Sequence, residues 1–147
     1  MEQETAIAAV GHAIQLSVAP VFLLSGIAGL LAVMTNRLSR IVDRAREVEA
    51  RLPASNPGEL TALDRELRTL SRRAKFIYVS ITLCTITALF VSAVVATLFV
   101  GAFLAFDASV WVAVLFVSAM AALFVGLMFF LREIFTATAA LRIGPRA

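Results

Sequence analysis

The chain has 147 residues, 61% of them apolar and 16% charged, with 13 Lys and Arg against 10 Asp and Glu. That length suits one domain, but the apolar share lies well above the ~45–50% of soluble proteins and excludes an ordinary soluble helical domain. One His, one Cys and no clustered acids supply no acid–base pair, activated nucleophile or metal-ligand set, so no enzyme activity, cofactor or metal is expected.

The apolar residues collect in three stretches, 6–34, 76–106 and 108–131. Each is long enough to cross a ~30 Å hydrocarbon layer, which takes ~20 helical residues. The expected fold is an all-α membrane protein with three transmembrane helices: 5–35, 76–105 and 109–140, the last including a cytoplasmic end. A helical hairpin, 36–75, joins the first two. The acidic start, Glu2 and Glu4, lacks the basic region of a cleavable leader, so the first stretch is expected to stay as an anchor. Cys84, the single cysteine, excludes an intrachain disulfide.

Within the first helix, Ser25 with Gly29 and Ala28 with Ala32 form a small-residue stripe. Such a stripe suits close approach to the other spans or to a second copy of the chain. Two readings of the N-terminal part are open. In one the helix reaches back to about Ile7 with Pro20 inside it as a kink site; in the other the span starts at Val18 and residues 4–17 lie along the outer surface. His12 and Gln15 share a helical face. They are candidates for a polar vestibule or a titrating site, against the plainer role of bonding water and headgroups. Where the helix leaves the membrane stand Thr35, Asn36 and Arg37. In a symmetric oligomer these would ring the mouth of an axial opening.

Between residues 36 and 75 the pattern becomes periodic. Leu38, Ile41, Ala45, Val48 and Leu52 are spaced three and four apart, as are Leu60, Leu63, Leu67, Leu70 and Ala74. These are the apolar seams of an antiparallel coiled coil. Levels match throughout: Leu38 with Ala74, Ile41 with Leu70, Ala45 with Leu67, Val48 with Leu63 and Leu52 with Leu60. The break lies at 53–59, where Asn56, Pro57 and Glu59 read as a capping box with proline in the first turn. Glu47–Arg51 and Asp64–Arg68 are candidate ion pairs one helical turn apart.

Ten basic residues lie between Arg37 and Lys75, and Arg132, Arg142 and Arg146 are at the C-terminal end. The other side carries only Glu2, Glu4 and Asp107, leaving 13 basic and 7 acidic residues with the hairpin. Basic loops stay in the cytoplasm, so the N-terminus is expected outside and the C-terminus inside. The basic surface then faces anionic inner-leaflet lipids, with Arg72, Arg73 and Lys75 at the headgroups, and nucleic acid is not expected as a partner.

The second and third spans, joined by a short turn near Asp107, carry small residues four apart. These place Ala88 opposite Gly126, Ser92 opposite Ala122 and Ala96 opposite Ser118 as the helix-packing contact. Ser80, Thr82, Thr85, Thr87, Ser92 and Thr97 make the second span the most hydroxylated. In the third, Arg132 and Glu133 form a charged pair at the edge of the apolar run. Depth matching sets Arg132 opposite Thr82. Snorkelling to the headgroups and a buried network with a neighbouring helix are the two readings of this pair. No charged residue occupies the middle of a span, which argues against a proton-coupled transporter.

The run from Pro20 to Arg46, with Pro20, Asn36, Arg37, Arg40, Asp43 and Arg44 as its most specific positions, is similar to the signature of a known bacterial family. So is Leu131-Arg132-Glu133. That family consists of small three-span membrane proteins described only as a domain of unknown function. The resemblance covers nearly the whole chain and implies a multi-pass protein of the bacterial inner membrane, without supplying catalytic residues or a substrate. Taken together, the expected function is a non-enzymatic homo-oligomer, specifically an ion channel or pore with the first helix lining the axis and an ion as permeant. The alternative is a membrane scaffold or regulatory subunit whose hairpin binds a partner.

Overall fold

Three long helices and one short 3-10 turn account for the secondary structure of the described residues. The computed structural model describes the backbone of residues 2–104 and 108–139 and the side chains of residues 7, 10–104 and 108–137. Helix α1 spans Glu2–Arg51 and continues through Pro20; α2 spans Pro57–Leu104 and α3 spans Ser109–Ala139. All three are long and apolar enough to cross a membrane. Thus the first two apolar stretches and the two arms of the polar connection are continuous helices. Asp107, near which the second turn is expected, lies outside the described residues, as do Ala140, Arg142 and Arg146.

The break between α1 and α2 has the local chemistry expected of it. A single 3-10 turn, Leu52–Ala54, carries Pro53, and the Ser55 hydroxyl donates to the Arg51 carbonyl at 2.7 Å. Pro57 opens α2, where its missing N–H costs nothing. The Asn56 N–H donates to the Glu59 carboxylate at 3.3 Å, and the Leu60 N–H to the Asn56 carbonyl at 3.0 Å. This is half of the capping box, and it satisfies donors that the helix start would otherwise leave open.

The chain divides into two compact units, Met1–Leu31 with Leu83–Val125 and Ala32–Thr82 with Gly126–Ala147. In the first unit the buried positions are Ala13, Ser17, Pro20 and Ile27 on α1, Cys84, Thr87, Val91 and Val94 on α2, and Ala119 on α3. In the second they are Met34, Ile41 and Val48 on α1, Leu70, Ile77 and Ser80 on α2, and Gly126, Glu133 and Ala137 on α3. One period describes both sets. Along α1 the buried residues Ala13, Pro20, Ile27, Met34, Ile41 and Val48 recur every seven; Leu70, Ile77, Cys84 and Val91 do so on α2, and Ala119, Gly126 and Glu133 on α3. A seven-residue period keeps one edge of a helix against its neighbour turn after turn.

The second unit contains the polar connection. Ile41, Val48 and Leu70 are buried, and Ile41 and Leu70 line the same cavity. Leu38, Ala45, Leu52, Leu63, Leu67 and Ala74 are half-buried and Leu60 is exposed. Across the arms the Arg44 guanidinium donates to Glu66 at 2.9 Å. Asp64 and Arg68 pair as expected at 3.0 Å, whereas Glu47 meets Arg44 at 3.1 Å instead of Arg51.

The contact of α2 with α3 differs from the small-residue pairing. In the second unit the Ser80 hydroxyl donates to the Gly126 carbonyl at 2.7 Å, and in the first the Thr87 hydroxyl is shared between the carbonyls of Leu83 at 2.9 Å and Ala119 at 3.3 Å. Gly126 therefore stands level with Ser80 and not with Ala88, a displacement of eight residues or ~12 Å. Ser92 and Ala96 are exposed, Ala88, Ser118 and Ala122 half-buried, and the hydroxyls of Ser92 and Ser118 bond back to Ala88 and Val114 in their own helices. Of the proposed contact set, only Gly126 sits in the core. A buried hydroxyl gains a hydrogen bond only where a backbone carbonyl comes within reach, and a glycine on the facing helix permits that approach.

Candidate functional site

The polar centre of the second unit is assembled by one residue from each helix. Glu133, on α3, is fully buried. Arg73, on α2, directs Nε and Nη2 to its Oε1 at 3.2 and 2.9 Å. Arg37, on α1, brings Nη2 to within 3.4 Å of Oε2 and lays its guanidinium over the Phe130 ring, 5.6 Å from the centroid. The side chains of Arg73 and Arg37 are 21% and 35% exposed, so each guanidinium has one edge on the carboxylate and another free of it. The carboxylate is thus held by charge on two sides, as a buried acid requires. Its Oε2 atom nevertheless makes no hydrogen bond.

The same level carries an aromatic layer. Phe76 and Phe129 meet at 6.3 Å between ring centroids. Arg72 and Arg132 each lie over the Phe76 ring, at 5.7 and 5.1 Å. Arg132 therefore stands beside Phe76 and not opposite Thr82, in keeping with the displaced contact of α3. Adjacent in sequence, Arg132 and Glu133 part company: the arginine is exposed and the glutamate turns into the core. The buried network holds for Glu133, and Arg132 is exposed beside the Phe76 ring.

Arg37, expected beside Thr35 and Asn36 at a polar boundary, turns towards Glu133. Thr35 and Asn36 are exposed, and the Asn36 carbonyl accepts from the Ser39 hydroxyl at 2.9 Å. Arg37, Arg40, Ile41, Arg44, Leu70 and Arg73 line a cavity of about 460 Å³. Arg44 is held above the usual arginine range by hydrogen bonds to Glu66 and then Glu47. In the first unit His12 and Gln15 are exposed, and His12 borders an apolar cavity of about 660 Å³ with Leu16, Leu98, Val112 and Phe116.

Sequence reasoning did not pick out Arg73 as the partner of Glu133. Hydroxyls of the second span can bond to their own helix or across to a neighbour, but it did not single out Ser80 and Thr87 as the two that cross. A signal was present. Arg73, Ser80 and Thr87 recur every seven residues on α2, and Ala119, Gly126 and Glu133 recur every seven on α3 in the opposite direction. Matching donors to acceptors at that spacing yields the observed contacts, while matching small residues does not.

No curated protein and no solved structure matched the chain. A family model, that of the protein of unknown function DUF2721, matches residues 17–143, which include α1 from Ser17, the whole of α2 and α3, and every charged side chain of the site. The chain belongs to the DUF2721 family.

Proposed function

We propose that the protein is a non-enzymatic homo-oligomer whose α1 helices surround an axial, ion-conducting pathway in the bacterial inner membrane. The observation that carries this reading is the outward face of α1. Between residues 25 and 36 the exposed positions are Ser25, Gly26, Ala28, Gly29, Ala32, Val33, Thr35 and Asn36, and only Val33 is a large aliphatic. By contrast α3 exposes Trp111, Val114, Val117, Phe124, Met128 and Phe135, the side chains that lipid solvates well. A face of small and hydroxyl-bearing residues gains little from lipid and packs closely against another helix or borders water. A Cβ added at Gly26 or Gly29 would meet nothing within 4 Å, so packing inside one subunit does not call for glycine there.

On this reading Thr35 and Asn36 form the inner mouth, while Arg37 braces Glu133 behind it. The distribution of Lys and Arg supports a cytoplasmic hairpin, an outside N-terminus and contact with anionic inner-leaflet lipids. Levels such as Ile41 with Leu70 support a coiled coil in that hairpin. The bacterial location rests on the family resemblance. Purified protein is expected to form symmetric particles and to pass ions when reconstituted in liposomes, with Asn36→Leu cutting the flux severalfold. Monomeric particles that pass no ions would refute the proposal.

A further inference from the structure

We infer that the arginine-lined cavity of the second unit is a binding site for a phosphate group. Four of its six lining residues are arginines, Arg37, Arg40, Arg44 and Arg73, and the other two are the aliphatic Ile41 and Leu70. No carboxylate lines it. The acids that neutralise these arginines are not among the lining residues: Glu133 serves Arg37 and Arg73 together, and Glu66 and Glu47 serve Arg44. Arg40 has no ion pair or side-chain hydrogen bond among the described residues.

Donor counting leads to the same place. A guanidinium carries five N–H groups in a planar fork that matches phosphate oxygens. Arg73 commits one N–H each of Nε and Nη2 to Glu133, which leaves the second on Nη2 and both on Nη1. Arg37 commits one terminal nitrogen to the same carboxylate, and Arg40 commits none. Glu133 therefore fixes two guanidiniums in place without occupying all their donors, and Arg40 adds a whole charge. Pre-positioned guanidiniums lose less freedom on taking up an oxyanion than flexible surface side chains do. A volume of about 460 Å³ holds a phosphate with room for a substituent. The shared chemistry is a phosphate oxyanion, carried by an anionic phospholipid headgroup or free in solution. Conduction is not required for it.

The test titrates full-length protein in a neutral detergent with short-chain phosphatidylglycerol, with short-chain phosphatidylcholine, and with inorganic phosphate at constant ionic strength. Binding is read by native mass spectrometry and by the thermal midpoint. Selective retention of phosphatidylglycerol over phosphatidylcholine assigns the headgroup as source. A midpoint raised by inorganic phosphate alone assigns the free anion. In either case Arg40→Gln is expected to weaken binding about tenfold, the loss of one or two charge-assisted hydrogen bonds, and Arg40→Lys to weaken it less. Arg65→Gln removes an exposed charge in the hairpin that does not line the cavity and should leave binding unchanged. Equal retention of both lipids with no response to phosphate would overturn the site, as would equal losses in Arg40→Gln and Arg65→Gln.

Discussion

Glu133 shows how a single acid can organise three helices. A carboxylate out of water must be paired, and the cost of breaking such a pair depends on which partner is removed. Arg73 supplies both hydrogen bonds to Oε1, so Arg73→Met strands a fully buried charge with only Arg37 near it at 3.4 Å. We expect a loss of ~3 kcal/mol, at the lower end for buried pairs because Arg37 still faces the acid. Arg37→Gln should cost less, since Arg37 is the more exposed and makes the longer contact. Combining Arg73→Met with Glu133→Gln should restore part of the loss, because the stranded charge is gone. Denaturation of the parent, Arg73→Met, Glu133→Gln and their combination in one detergent closes the double-mutant cycle, and additive losses would mean that no coupling exists.

Along the helices, the question is which face of α2 meets α3, and the two candidate faces predict opposite mutational outcomes. Ser80→Ala removes a 2.7 Å bond to Gly126 and should cost about 0.6–1 kcal/mol, the usual worth of an interhelical bond between spans. Ser92→Ala should be silent, since that hydroxyl is exposed and bonds to its own helix. Gly126→Leu should be far more damaging than Ala122→Leu, because only Gly126 is in the core. Thermal midpoints in detergent decide between the faces: a silent Ser80→Ala with a damaging Ser92→Ala would restore the small-residue pairing of Ser92 with Ala122. The contrast also explains what could be read from the residues. In the polar connection, apolar positions mark the packed edge, so the seam of Ile41, Val48 and Leu70 and the cap at Asn56–Glu59 were legible. Within the spans every face is apolar, and hydropathy no longer labels the packed one. Small residues occur on more than one face of α2, and the stripe of Ala88, Ser92 and Ala96 is not the buried one.

At the scale of the whole molecule, the outward face of α1 makes the sharpest prediction. Its rows at Ser25 and Ala32 and at Gly29 and Asn36 each lie two residues from the buried positions Ile27 and Met34, and so about 160–200° round the helix from them. If α1 packs on α1 of another subunit, cysteines on these rows should come within the ~7 Å Cα separation that a disulfide allows. In a background with Cys84 replaced by serine, Ser25→Cys and Ala32→Cys are expected to give disulfide-linked dimers on mild oxidation. Val117→Cys, on an exposed position of α3, should stay monomeric although an oxidant in the bilayer reaches it as easily. Gly29→Leu should abolish the cross-link and the flux together while leaving the thermal midpoint of the subunit nearly unchanged, since nothing within one subunit lies against that glycine. Equal cross-linking from Val117 would mean random collision in the membrane. Cross-linking without flux would leave the assembly standing and remove the conducting pathway, because close packing of α1 needs a partner helix but conduction needs an open axis as well.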